Sequence, residues 1–260
     1  MHHARNDRPR AEDSSHVRKR SQREEDIIKV PDFDFTDLID KYKLSLVGRM
    51  FHQDGRSVDA LIKHMPKRRI WDVEGRVRGT NLGNNKFQFD FNKEEDLQRV
   101  LLRRPCHFNK WSFSLERWTP TIKEDFPNSL LLWVTITGVP THYKKDESYR
   151  SIGKALGEVD KVDVDNGRVR VYINVDEPLQ FERRAGYTNG DVIKVSLQYE
   201  ELHRFCFTCK RISHEEGTCL DLSPEQRERN KIARLEKKEK EERAAREAFS
   251  IPSRGFESQV

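Results

Sequence analysis

Residues 206–219, CFTCKRISHEEGTC, hold three of the chain's four cysteines and one histidine between them. The order is Cys206, two residues, Cys209, four residues, His214, four residues, Cys219. Thiolates and imidazole are the ligands zinc prefers, and four of them close its tetrahedral shell. Cys206 and Cys209 fit one tight turn that aims both sulfurs inward, and His214 and Cys219 close a short loop around the same ion. Such a loop has no core of its own, so the metal must supply its stability, about 10 to 16 kcal/mol for structural zinc in small peptides. The expectation is one structural Zn2+ held by Cys206, Cys209, His214 and Cys219.

Three rival chemistries fit less well. A redox Cys-x-x-Cys sits at the start of a helix and leaves the third cysteine unexplained. A nucleobase deaminase needs His-x-Glu upstream of Pro-Cys-x-x-Cys and an open position for water. Here Phe205 precedes Cys206 and the histidine lies between cysteines. Unrelated core cysteines would need apolar neighbours, and these neighbours are polar.

Single-strand binding combines a π-face for bases with cations for phosphates. Phe207 offers the ring, and Lys210 and Arg211 the charge, while Glu215 and Glu216 oppose phosphate. A second basic group, Lys67, Arg68, Arg69, Arg76 and Arg78, surrounds an expected strand. Solvated surface is the plain alternative there.

The chain has 260 residues, 36% of them charged and 35% hydrophobic. That balance implies folded modules flanked by solvated tails. Lys and Arg number 49 against 44 Asp and Glu, a net +5, so nucleic acid would meet local patches and not a uniformly basic surface. No apolar run approaches a membrane span. The first twenty residues lack the apolar core of a signal peptide. The expected setting is therefore a reducing one, nucleus and/or cytoplasm, where disulfides are disfavoured.

The elements that must position these residues are legible in outline. A basic, disordered tail is expected over 1–34, with Arg18-Lys19-Arg20 as a cluster able to touch phosphate. SLVGRMF reads as a strand. Ser57 caps a helix through Val58, Leu61, Ile62 and Met65 that Pro66 stops. IWDVEGRVRG is a second strand, and after Gly83-Asn84 the run KFQFDF alternates as a half-buried third. Asn92 and Glu95 suggest a capping box before Leu97, Val100 and Leu101, and KWSFSLE is a further strand. The order β-α-β-β-α-β over 35–122 is ferredoxin-like, the arrangement of RNA-recognition (RRM-like) domains. Phe87, Phe89 and Phe91 share one face with no apolar residues opposite, so the core claims them and bases do not.

TPTIKEDFPNS is a linker. A second small α/β unit over 127–203 begins with LLLWVTITGVP. Its helix shows Tyr149, Ile152, Leu156 and Val159 on one face. A hairpin turns at Asn166-Gly167, with the type I′ geometry that pair favours. The knuckle occupies 204–220. A solvated charged helix opens at Ser223-Pro224 and spans 221–249, and a disordered tail covers 250–260.

The ligand spacing resembles the CCHC zinc knuckle of retroviral and retrotransposon nucleic-acid-binding proteins. LVGRMF, NNKFQFDFNKEEDLQRVL, RRPCHFNKWSFSLERWTP, LWVTITGVPTHY, IGKALGEVDKVD and VSLQYEELHRFCFTC together resemble a plant family. That family joins a domain of unknown function to a zinc knuckle, in the first open reading frame of LINE-type retrotransposons and in related host genes. The likeness spans roughly residues 35 to 220. It implies binding of element RNA without catalysis. Where such knuckles carry glycine after the second cysteine and before the histidine, this chain has Lys210 and Ser213. Where the family has tryptophan after proline, it has Cys106, read as a small core residue and not a ligand.

The fold expected is α+β: an RRM-like unit, a second α/β unit, a CCHC knuckle and a charged C-terminal helix. The function expected is non-enzymatic binding of RNA or single-stranded DNA, with no P-loop or nucleophile-elbow motif in view. No membrane or small-molecule partner is implied. The alternative is a protein-interaction module, self-association included, with the knuckle as scaffold.

Overall fold

The computed structural model describes residues 28, 30–52, 57–121, 123 and 125–249. Arg18-Lys19-Arg20 and the expected tail over 250–260 lie outside the described residues, as does most of the tail over 1–34. Met1–Asp40 is one compact unit and Lys41–Val260 another. In the first, the Asp34 carboxylate accepts the Thr36 N–H at 2.8 Å, at the start of α1 (Thr36–Tyr42). Both sheets, the cysteine cluster and the last helix belong to the second. Among the described residues no helix is long and apolar enough to cross a membrane.

The first sheet runs β1 (Ser45–Met50), α2 (Val58–His64), β2 (Val77–Gly83), β3 (Lys86–Phe91), α3 (Glu94–Leu102), β4 (Cys106–Phe108), β5 (Trp111–Arg117). Its strand order is β2-β3-β1-β5-β4, antiparallel throughout. Removing the short edge strand β4, which the sequence did not suggest, leaves the ferredoxin-like order. Phe87, Phe89 and Phe91 are 0%, 0% and 5% exposed and face the core beneath the helices. The Trp71 ring meets Phe89 edge-on at 5.0 Å. Gly48 lies opposite Phe87, whose ring would be 2.2 Å from any Cβ placed there. The central strand thus needs glycine where that ring crosses it.

Two local expectations for this sheet need correction. IWDVEGRVRG is strand only from Val77. Asp72 takes φ 56°, and the Trp71 and Val73 amides bond back to Met65 and Pro66 at 3.2 and 3.0 Å. This folded-back turn drops both apolar side chains into the core. The capping box is also absent: α3 begins after Lys93, which makes no side-chain cap.

The second sheet runs β6 (Ser129–Thr137), α4 (Asp146–Lys154), β7 (Gly157–Asp163), β8 (Arg168–Asn174), β9 (Glu182–Gly186), β10 (Val192–Tyr199). Its order, β7-β8-β6-β10-β9, repeats the first with every number raised by five. One helix is missing. Between β8 and β9, where the first sheet has α3 between β3 and β4, residues 175–181 run without helix. Helix α4 ends at Lys154, so Leu156 falls in the turn after it and Val159 in β7, and neither lies on the helical face. The Asn166-Gly167 turn is not type I′, because only Gly167 has positive φ, 65°. Val164 accepts the Gly167 amide at 3.1 Å and closes a longer loop.

The two sheets are joined through the face of the first that carries no helix. Ser114 Oγ and Arg49 Nε both donate to the Pro127 carbonyl, at 2.9 and 3.0 Å. Ser129 Oγ donates to Glu116 at 2.5 Å, and Arg49 pairs with Asp176 at 2.8 Å. Phe51, just past β1, is buried in the core of the second sheet. The segment read as a linker therefore docks on the first sheet. Phe89→Ala should cost about 3–5 kcal/mol, the range for deleting a buried aromatic ring. Urea denaturation checks this, and a loss below about 1 kcal/mol would place the ring outside the core.

Candidate metal centre and its surroundings

The chain leaves β10 and reaches Cys206, which is fully buried. The Cys206 N–H donates to Arg211 at 2.8 Å, and its carbonyl accepts from Lys210 at 2.9 Å. These bonds close a turn that points Cys206 and Cys209 the same way. A 3-10 turn, Glu216–Thr218, brings Cys219 back to them. The ligand atoms of Cys206, Cys209, His214 and Cys219 all lie within 4.8 Å of one another. His214 Nε2 is 3.3 Å from Cys209 Sγ, while Ser213 Oγ meets Nδ1 at 3.1 Å. Ser213 thus orients the ring so that Nε2 faces the thiols, in the outer position more often taken by a carboxylate, a backbone carbonyl or water. A tetrahedral ion with metal–sulfur bonds of about 2.3 Å needs ligand atoms about 3.8 Å apart. The donor set fits.

The thiols are tuned by burial and amides. Burial pulls the Cys206 thiol up, but the Cys209 and Thr208 N–H groups together with the Cys209 and Cys219 thiols outweigh it, and the result is a lowered pKa. Burial raises Cys209 to about 11, with the neighbouring Cys206 and Cys219 sulfurs adding to it. Three thiols this close cannot all ionise without a cation among them. Cys106 is elsewhere, buried in the first core, and burial pushes its thiol up to about 12.

The loop is seated on the second sheet where that unit lacks its helix. Ile212 is 3% exposed and joins the second core. The Leu179 N–H donates to the Lys210 carbonyl at 3.0 Å, and the Arg211 guanidinium donates to the Asp176 carbonyl. An aromatic ladder runs outward: Tyr199 to Phe181 at 5.5 Å, Phe181 to Phe205 at 5.2 Å, Phe205 to Phe207 at 4.7 Å. Phe207, the outer rung, is 54% exposed.

The cations proposed from sequence are placed unevenly. Lys210 lies over the Phe181 ring at 5.7 Å and donates to the Phe207 carbonyl, so its amine turns back onto the protein. Arg211 is exposed but tethered to Asp176. Lys67, Arg68 and Arg69 are exposed in the turn after α2, and Arg78 on β2. Arg76 binds buried Asp96 at 2.8 Å and ties that turn to α3. The Arg76 guanidinium holds the Asp96 carboxyl below its ordinary value.

Glu216 does not face solvent as sequence reasoning assumed. It is 6% exposed. It accepts from Thr208 and from Asn230 at 3.1 Å, and pairs with Arg234. The last two lie on α5 (Pro224–Phe249). Arg227 of the same helix donates to the Cys219 carbonyl at 3.0 Å, and Arg234 lies 5.3 Å from the Phe207 ring centre. Ser223 and Gln226 cap the helix reciprocally, at 3.3 and 2.8 Å. The first half of α5 is therefore docked on the cysteine loop. Its contact residues, Arg227, Asn230 and Arg234, are polar, and hydrophobic periodicity is blind to a polar stripe.

Lys210 takes φ 63°, at the position where similar knuckles carry glycine. Left-handed backbone costs a residue with a Cβ about 1–2 kcal/mol, and β-branched residues fit it worst. Lys210→Gly and Lys210→Val both delete the amine, so only the backbone distinguishes them. The glycine variant should be the more stable by about 1–2 kcal/mol in denaturant melts of metal-loaded protein. Equal stabilities would show that the turn carries no such strain.

Residues 38–125 match a family described as a domain of unknown function (DUF4283), and residues 173–221 match one described as a zinc knuckle. The second match begins within β8, so it takes in β9 and β10, on which the cysteine loop rests. An uncharacterized protein of Arabidopsis thaliana is 30% identical over 132 residues, which is 48% of this chain and 42% of that protein. The chain thus spans less than half the length of the relative it matches. Among solved structures, an Sxl-lethal protein–RNA complex aligns over 60% of this chain and 98% of its own, with 13% identity and a TM-score of 0.26. The N-terminal three RNA-binding domains of the yeast splicing factor Prp24 align over 60% and 65%, with 12% identity and a TM-score of 0.23. The fold rests on the strand order and not on those scores. The chain carries a segment similar to DUF4283 followed by one similar to a zinc knuckle.

Proposed function

We propose that this chain is a non-catalytic, zinc-dependent protein that binds RNA or single-stranded DNA, derived from or related to a retrotransposon protein and working in the nucleus and/or cytoplasm. The observation that carries this reading is the closed donor set with an exposed ring beside it. Three thiols and an imidazole fill all four positions of a tetrahedral ion, which leaves none for an activated water. One zinc then holds the loop, and Phe207 stands beside it as a stacking surface.

A protein-docking reading has one observation in its favour. Cations around the loop already have carboxylate partners: Arg204 pairs with Glu215 at 3.0 Å, and Arg234 with Glu216. Salt separates the readings, because phosphate contacts release counterions. Purified protein should carry about one zinc per chain on the four-ligand account. Phe207→Ala should retain that zinc and weaken binding to a single-stranded oligonucleotide by about 1–3 kcal/mol, the worth of one stacked base. Protein free of metal with the loop still folded would contradict the zinc assignment. Binding that ignores both Phe207 and salt would favour the docking reading.

A further inference from the structure

A cleft of about 660 Å³ is lined by both the cysteine loop and α5. Its volume falls in the range of about 300–1,000 Å³ usual for sites that enclose a small organic ligand. Phe205 and Phe207 line it from the loop side, and Arg227, Lys231 and Arg234 from the helix. Arg204 enters from the loop segment that joins β10 to Cys206. Three carboxylates also line it, Glu215, Glu216 and Glu228. They are not equivalent. Glu216 is buried and consumed by Asn230 and Arg234. Glu215 is paired with Arg204. Glu228 is only loosely met by Lys231, at 3.6 Å, with both side chains more than 60% exposed. Lys231 is thus a cation at the cleft with no close partner among the described contacts that would hold it back from a phosphate.

Resting on the nucleic-acid reading above, we propose that α5 is one wall of the binding site. The cleft takes one nucleotide of a single strand, its base against Phe207 and its phosphate on Lys231, with Arg227 adding positive charge on the same helical wall. A π-face and a cation on opposite sides of one cleft are the two elements single-strand recognition combines. Neither element alone forms the cleft: the loop presents the ring, and the helix closes the space and brings the charge. Buried Glu216, by anchoring Asn230 and Arg234, sets the helix at that distance.

The test uses the full chain loaded with zinc, with fluorescently labelled twelve-residue oligo(U) and oligo(dT) titrated by anisotropy across salt. Lys231→Glu should weaken binding at least about fivefold and lower the slope of log affinity against log salt by about 0.7 to 1, the value of one phosphate contact. Lys240→Glu makes the same charge change further along the exposed helix, and should weaken binding less than about twofold. Zinc content should be unchanged in both. Wild-type affinity in Lys231→Glu, or an equal loss in Lys240→Glu, would overturn the cleft while leaving nucleic-acid binding intact. Failure of the unmodified protein to bind either oligonucleotide at low salt would overturn the nucleic-acid reading, and the cleft with it.

Discussion

Three thiols and an imidazole gathered within 4.8 Å form a site that repels its own ionised form. Without a cation, at most a fraction of those sulfurs can carry charge, and a loop of this length has little else to hold it closed. With a cation the same crowding becomes the strongest local tie in the chain. Much of the surrounding structure depends on that closure. The loop backbone fixes Ile212 in the second core and presents a carbonyl to Leu179. It positions the Cys219 carbonyl for Arg227 and Glu216 for Asn230 and Arg234. One small cysteine loop therefore does for the second sheet what a helix does for the first, and gives the last helix a place to dock.

The RRM-like strand order invites the thought that bases stack on the first sheet, but the packing argues against it. Its phenylalanines face the helices, and Val47 and Ser114 on the other face are 6% and 0% exposed. Ser114, Arg49 and Glu116 on that face are engaged by Pro127, Asp176 and Ser129. On the second sheet, Trp133 lies on the face without the helix, with Arg168 at 4.4 Å and Arg170 at 5.6 Å from its ring. Those cations are held by Asp163, Glu200 and Asp160. Phe207, by contrast, is 54% exposed, with Arg234 5.3 Å from its ring centre.

The sequence was informative where one physical rule acts alone. Ligand types and spacing identified the four residues that the fold gathers. Strict alternation in KFQFDF identified the core face of β3. It was less informative where two rules compete. Trp71 and Val73 alternate like a strand, yet Asp72 turns the chain back so that both fill the core. Asn166-Gly167 has the composition of a two-residue turn, but a longer loop satisfies the register with Gly167 alone at positive φ. The docking of α5 was invisible because it is made by polar groups, and a charged helix reads as solvated until its partners are known. Glu216 shows the same limit: beside a knuckle it looked like a surface charge, and it is a buried anchor.

Once it holds its ion, the cysteine loop should secure the part of the second sheet's core that lacks a second helix, on the same face as α4, together with the first half of α5. Amide hydrogen exchange on the full chain, before and after zinc is stripped with a chelator, tests it most directly. Loss of the metal should abolish protection at Leu179, through residues 206–219 and over the first turns of α5, while β1, β3 and β5 exchange as before. Protection of α5 and Leu179 that survives metal removal would show that the loop is seated without the ion, and would contradict the account.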